Sequence, residues 1–218
     1  SLNRLTPWTS GYLAPFDFLR VLDFNAMIPI PLFSVLLYYL LLREVIQENR
    51  FTKTKQYAYL FLIFLTGVYF FGASSGTHEV TNYLNHRFCE DGKINSTLCN
   101  IIGYNDDEFS HYVYYVGLVL MNVAVLLGQY HVAVKNAMKK VDRILVATNA
   151  LLIALGIFAN LAFEEIGIDL WVFALLAAIS LYLWYLRVKS INNYPVIFYS
   201  GLSYGIGTIG TFLYKFFV

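Results

Sequence analysis

YAYLFLIFLTGVYFFGASSGTHEVTNY, running from Tyr57 to Tyr83, is the stretch on which the fold is decided. It opens as an unbroken apolar run and turns polar only toward its end. About 20 such residues in a helix cross a hydrocarbon core roughly 30 Å thick. Backbone polar groups inside that core must be satisfied within the segment, which selects a helix. A membrane barrel would instead need short segments of alternating polarity.

The same reading applies outward in both directions. Spans are expected at Asn25–Ile46, Tyr57–Tyr83, Glu108–Val134, Ile144–Glu164, Ile168–Val188 and Pro195–Phe217. Across 218 residues the chain is 58% hydrophobic and 13% charged, with 18% aromatics and a mean hydropathy of +0.58. A soluble domain of this length rarely combines so few charges with so many rings. The sequence therefore predicts an all-α, polytopic transmembrane helix bundle of six spans, one domain over residues 1–218. Residues 1–24, with Pro7, Trp8, Pro15 and Phe16, read as an interfacial lead-in, too mixed for a cleavable signal peptide. Most Phe and Tyr residues are expected to face lipid or the interfaces.

Net charge is only +1, but the charges are sorted. Arg43, Arg50, Lys53 and Lys55 follow the first span, Lys135, Lys139, Lys140 and Arg143 the third, and Arg187 and Lys189 the fifth. These connections alternate correctly to share one side, which the positive-inside rule makes cytoplasmic. Acids dominate the other side: Asp17, Asp23, Glu79, Glu90, Asp91, Asp106, Asp107, Glu108, Glu164, Glu165 and Asp169. Six spans then put both termini outside. Cys89 and Cys99, the two cysteines of the chain, fall in an outer loop over residues 84–107. In an oxidising compartment they are expected to pair as a disulfide, since no further cysteine completes a thiolate metal site. Asn95-Ser96-Thr97 in that loop fits a glycosylation acceptor.

The polar tail of the second span carries the chemistry. Ser74, His78, Asn82 and Asn85 lie within about 80° of one another on a helix. Asp107 and His111 share a face at the start of the third span, and that face continues through Asn122 and Gln129. The fourth span adds Asn149, Asn160 and Glu164. Lipid-facing positions would be costly for these groups, so all three stripes are expected to turn inward. His78 and His111 with a carboxylate suit zinc, and also iron or manganese. The competing reading is an interhelical hydrogen-bond network behind an acidic headgroup-level rim. His86 reads as solvated, and His131, at the opposite end of its span, as structural.

No soluble-enzyme signature competes: there is no phosphate-binding glycine loop and no nucleophile elbow. His78-Glu79 opens like a zinc-protease helix, but Asn82 stands where its second histidine belongs. The basic loops lack interleaved aromatics, so nucleic acid is excluded as a partner. Ser200, Gly201, Ser203, Gly205, Gly207, Thr208 and Gly210 line the last span, and small residues at helical spacing point to close helix packing.

The second and third spans resemble the alkaline ceramidase and progestin/adipoQ receptor superfamily of membrane metal hydrolases. Ser74 and His78 match its Ser-x-x-x-His at the end of the second helix. Asp107-Glu108 before Phe109 and Tyr112 is similar to its Asp-Glu pair opening the third. The family's seventh helix, with a His-x-x-x-His pair, has no counterpart in this sequence. The resemblance implies zinc-dependent hydrolysis of a lipid amide, with a metal-bound water of lowered pKa.

The leading expectation is thus an integral membrane metal hydrolase acting on a lipid amide or ester from the extracytoplasmic side. His78, Asp107 and His111 would hold zinc, Glu79 or Glu108 would act as base, and Ser74 would steady the oxyanion. A non-enzymatic subunit of a larger membrane complex is the alternative. A small transporter is the third reading, although no inverted repeat or matched pair of broken helices supports it.

Overall fold

The computed structural model describes residues 7–46, 50–89, 96–163 and 167–217. Among the described residues eight α-helices follow in order: α1 Val21–Met27, α2 Pro29–Ile46, α3 Lys55–Phe88, α4 Thr97–Tyr104, α5 Ser110–His131, α6 Lys140–Phe163, α7 Asp169–Arg187 and α8 Pro195–Phe217. A π-helical turn, Asn105–Phe109, joins α4 to α5. Six helical stretches are long and apolar enough to cross a membrane: Val21–Ile46, Lys55–Phe88, Thr97–His131, Lys140–Ala162, Asp169–Asn193 and Pro195–Phe217. The all-α, six-span membrane architecture read from the sequence is therefore what the chain adopts.

The largest departure lies at residues 84–107, expected as loop. Helix α3 continues to Phe88, and α4 begins again at Thr97. Ser96 starts α4 by accepting the Cys99 amide at 3.2 Å, a cap that satisfies one of the four orphan donors of a helix N-terminus. Cys89 and Cys99 are disulfide-bonded as expected, with Cα atoms 5.7 Å apart. Asn95, Glu90, Asp91, Glu164 and Glu165 lie outside the described residues. The lead-in also ends sooner than residue 24, because α1 starts at Val21. Pro29 and Pro31, which cannot donate a backbone hydrogen bond, follow the break at Ile28 between α1 and α2.

The chain divides into two compact units, Ser1–Leu40 with Leu65–Leu120, and Leu41–Phe64 with Met121–Val218. In the first unit, α3 and α5 touch backbone to backbone. A Cβ on Gly117 would stand 2.5 Å from Phe71 N and 2.9 Å from Gly67 O, closer than any side chain tolerates. Beside this crossing the Phe71 and Tyr114 rings meet at 5.3 Å. The helices run antiparallel, so each step outward along α3 meets a step back along α5. That register sets which polar groups face one another.

In the second unit, α8 packs against α6 and α7 through its small residues, as the sequence implied. A Cβ on Gly207 would lie 2.8 Å from Ile157 Cγ2, and one on Gly201 2.5 Å from Trp184 Cε3. Leu126, Leu183, Tyr194 and Ile197 form a buried core cluster. The inward polar groups of α5 serve as ties between helices. Gln129 donates to Val132 O at 2.9 Å and accepts from Val196 N at 3.1 Å, while Tyr204 donates to Asn122 at 2.7 Å. His131 stacks on Phe51 at 5.1 Å.

The inward stripe expected on α6 is overturned: Asn149 and Asn160 are exposed. Helix α6 buries Ala150, Ala154, Ile157 and Leu161, a face about 100° round from the two asparagines at 3.6 residues per turn. Packing small and branched apolar groups against α8 fixed the rotation of α6, and the amides went with it.

Candidate functional site

The polar end of α3 and the start of α5 meet within the first unit. Their meeting depends on the π-helical turn, which carries one extra residue per turn relative to an α-helix; such turns recur at functional sites. Its effect is to aim Asp106 and Ser110 inward, at 3% and 1% exposure, while Asp107, Glu108 and Phe109 point outward. Ser110 Oγ donates to Asp106 O at 2.6 Å, and Ser74 Oγ reaches across from α3 to donate to Ser110 O at 2.7 Å.

One turn further out, His78 meets the same turn of chain. Its Nδ1 lies 3.1 Å from Asp106 Oδ1 and 3.2 Å from Asp106 O, with Ser110 Oγ at 3.4 Å. The carbonyl hydrogen bond favours the tautomer that carries its proton on Nδ1, while Asp106 Oδ1, although close, is not aligned for a hydrogen bond. Nε2 is then left with a lone pair, and it lies 4.0 Å from Oε1 of the buried Glu79. The His111 ring stands beside it, centroids 4.9 Å apart and planes at 67°. His111 Nδ1 is buried without a hydrogen-bond partner among the described residues.

The expected residues thus divide. His78, His111 and Glu79 come together as predicted. Ser74 is buried beside them, but its proton is committed to the Ser110 carbonyl, which removes it as a donor to an oxyanion. Asp107 is exposed, and the carboxylate set against His78 is its neighbour Asp106. Glu108 is exposed and accepts a hydrogen bond from Tyr112 at 3.3 Å. Sequence reasoning missed Asp106 and Ser110. They share a face at i, i+4, as Asp107 and His111 do, and nothing in the composition of the turn tells which pair looks inward.

Further along α3, Asn82 accepts from Arg20 Nη2 at 2.7 Å. The same guanidinium grips the fully buried Asp23 through two bonds of 2.6 and 2.9 Å, a bidentate pairing that fixes both partners. At the helix end, Arg87 donates to Tyr83 Oη and to the carbonyl of Asp17, and Tyr83 also donates to that carbonyl. These contacts strap residues 16–23 over α3. His86 is exposed, as expected.

Two imidazoles this close suit one ion, but a catalytic zinc takes three protein ligands. Among the described residues, no three His, Cys, Asp or Glu side chains converge as a ligand set. The described residues thus supply two imidazoles, one short of such a set. What the site does supply is an imidazole held by a backbone carbonyl beside a buried carboxylate, a second imidazole alongside, and a buried glutamate.

Compared with family models, with curated proteins and with solved structures, the chain has no match.

Proposed function

We propose that the chain is an integral membrane hydrolase acting on a lipid amide or ester at the extracytoplasmic surface, with His78 as its general base. One observation carries this reading: Asp106 O is hydrogen-bonded to His78 Nδ1 with the Asp106 carboxylate 3.1 Å from the same nitrogen, which leaves Nε2 turned away from them and 4.0 Å from Glu79 Oε1. A carboxylate behind an imidazole holds the ring's tautomer and stabilises the imidazolium once it forms. A water at Nε2 would lose its proton to that nitrogen as it adds to the substrate carbonyl. The same imidazolium would then return the proton to the departing amine or alkoxide. Glu79 and His111 would line the water's position.

The apolar surroundings of the pair support a lipid substrate. The site is built into helices whose outer faces are apolar and exposed, with Tyr69 at 73% and Val116 at 44%. A carbonyl one or two bonds below a headgroup reaches such a position without leaving the bilayer. Zinc, implied by the family resemblance, would draw on His78 and His111, and it remains a proposal in which Glu79 is the neighbouring carboxylate.

The test is fatty-acid release by the purified chain in lipid nanodiscs, given amide-linked and ester-linked lipids. His78→Ala is expected to lower the rate about 10²–10⁴-fold, the usual worth of a positioned base. Full activity in that variant, or no release from either lipid class, overturns the proposal. Elemental analysis of the same sample distinguishes one bound zinc per chain from an imidazole working alone.

A further inference from the structure

Asn149 and Asn160 stand on the exposed surface of a helix that spans the membrane. Asn149 is five residues in from Ile144, where the apolar span begins, about 7.5 Å at 1.5 Å per residue, and so inside a hydrocarbon core roughly 30 Å thick. Asn160 is eleven residues on and about 20° round, so both amides lie on one stripe. Neither has a hydrogen-bond partner among the described residues. By contrast, the hydroxyls of Ser34 and Thr77 on other spans turn back onto their own helices, at 2.9 and 3.0 Å. A carboxamide has two donors and an acceptor, so bonding back to its own helix still leaves a donor unmet, and lipid offers it nothing.

Between the two lies Gly156, where an added Cβ would meet nothing within 4 Å. Leu145, Leu152 and Ile153 flank the stripe at 64%, 62% and 45% exposure. The surface is thus polar at two levels, open at the glycine between them, and apolar at its edges. Small residues let membrane helices approach, and asparagines bond across such contacts.

We infer that this face docks a second copy of the chain, α6 against α6, in a two-fold dimer. The chemistry selects that occupant. Copies of one protein enter the bilayer in the same orientation, so their two-fold axis runs along the membrane normal and their α6 helices cross in parallel. Each residue then meets its own equivalent, as an isologous interface requires. A carboxamide is self-complementary, since one amide donates to the oxygen of the other and accepts in return. Asn149 therefore pairs with Asn149 of the partner subunit, and Asn160 with Asn160 of the partner subunit. A charged or donor-only side chain in either place would repel its own copy. The inference is independent of the hydrolase reading, because none of these residues belongs to the His78 site.

The test uses the full chain in proteoliposomes at low protein-to-lipid ratio. Its two cysteines are bonded to each other, so an added cysteine reports alone. Leu152→Cys is expected to form a disulfide-linked dimer under mild oxidation at least 10-fold faster than Leu62→Cys, which is exposed on α3. Adding Asn149→Leu and Asn160→Leu to Leu152→Cys should abolish that advantage. Both positions are exposed on the single chain, so the substitutions leave its fold intact, which a retained thermal transition verifies. Two-step photobleaching of the labelled wild-type chain, falling to one step in the double leucine variant, completes the expected result. A monomer at every lipid ratio, equal crosslinking at both cysteines, a dimer indifferent to the leucines, or a complex built only with a different protein overturns it.

Discussion

Asp106 and Asp107 are adjacent in sequence and opposite in surroundings: one is 3% exposed against His78, the other is exposed. Removing the charge from each therefore separates positioning from mere proximity. Asp106→Asn is expected to lower hydrolytic turnover by up to about 10⁴-fold, the cost of neutralising the carboxylate behind a catalytic imidazole. Its effect should fall on kcat more than KM, because the ring is misoriented while the lipid surface is untouched. Asp107→Asn should leave both constants unchanged in the same assay, and equal losses in the two variants would refute the assignment. Much of this site was legible beforehand, since Ser74, His78 and His111 share helical faces by spacing alone. Which acid joined them was not legible. The π-helical turn rotates residues 106–110 relative to an ideal helix, and an ideal 100° periodicity does not contain that rotation.

The fit between α3 and α5 rests on one glycine. A methyl group at Gly117 would collide with the Phe71 amide at 2.5 Å and the Gly67 carbonyl at 2.9 Å, both of them backbone atoms unable to swing aside. Gly117→Ala is expected to destabilise the chain by about 1–3 kcal/mol through overpacking. The same change at Gly72, exposed and with nothing within 4 Å of the new carbon, should be neutral or stabilising by up to about 1 kcal/mol through helix propensity. Thermal melts of the two variants in detergent check the pair; equal melting temperatures would mean that α3 and α5 do not meet at this point. The disulfide acts at the same scale, joining the last turn of α3 to the first of α4 across ten residues of sequence separation. Replacing Cys89 and Cys99 by serine should cost about 2–4 kcal/mol, read as a lower melting point that reducing agent no longer shifts. The spans were legible because hydropathy is a sum over many residues and survives local exceptions. Rotation about each helix axis was not, as α6 demonstrates: Asn149 and Asn160 suggested an inner face, and Ala150, Ala154, Ile157 and Leu161 claimed it instead. In a membrane, close packing of small and branched groups competes with burying a polar one, and here packing against α8 prevailed.

For the molecule as a whole, two independent compasses indicate the same orientation. Arg50 and Lys53, Lys139 and Lys140, and Lys189 sit in three alternate connections, which the positive-inside rule assigns to the cytoplasm. The disulfide lies in a connection of the other parity, and disulfides persist on the oxidising side. Both rules predict that the disulfide and the His78 site lie on the extracytoplasmic side, together with residues 8 and 98. Labelling with a membrane-impermeant maleimide tests this without background, because neither natural cysteine is free. Lys139→Cys and Lys189→Cys should react only after the membrane is opened. Trp8→Cys and Leu98→Cys, at positions 89% and 65% exposed, should react in intact cells. The reverse pattern would set the disulfide in a reducing compartment and the basic loops outside, against both physical rules at once. A lipid carbonyl would then have to reach His78 from the cytoplasmic leaflet, so the labelling result also decides which leaflet supplies the substrate.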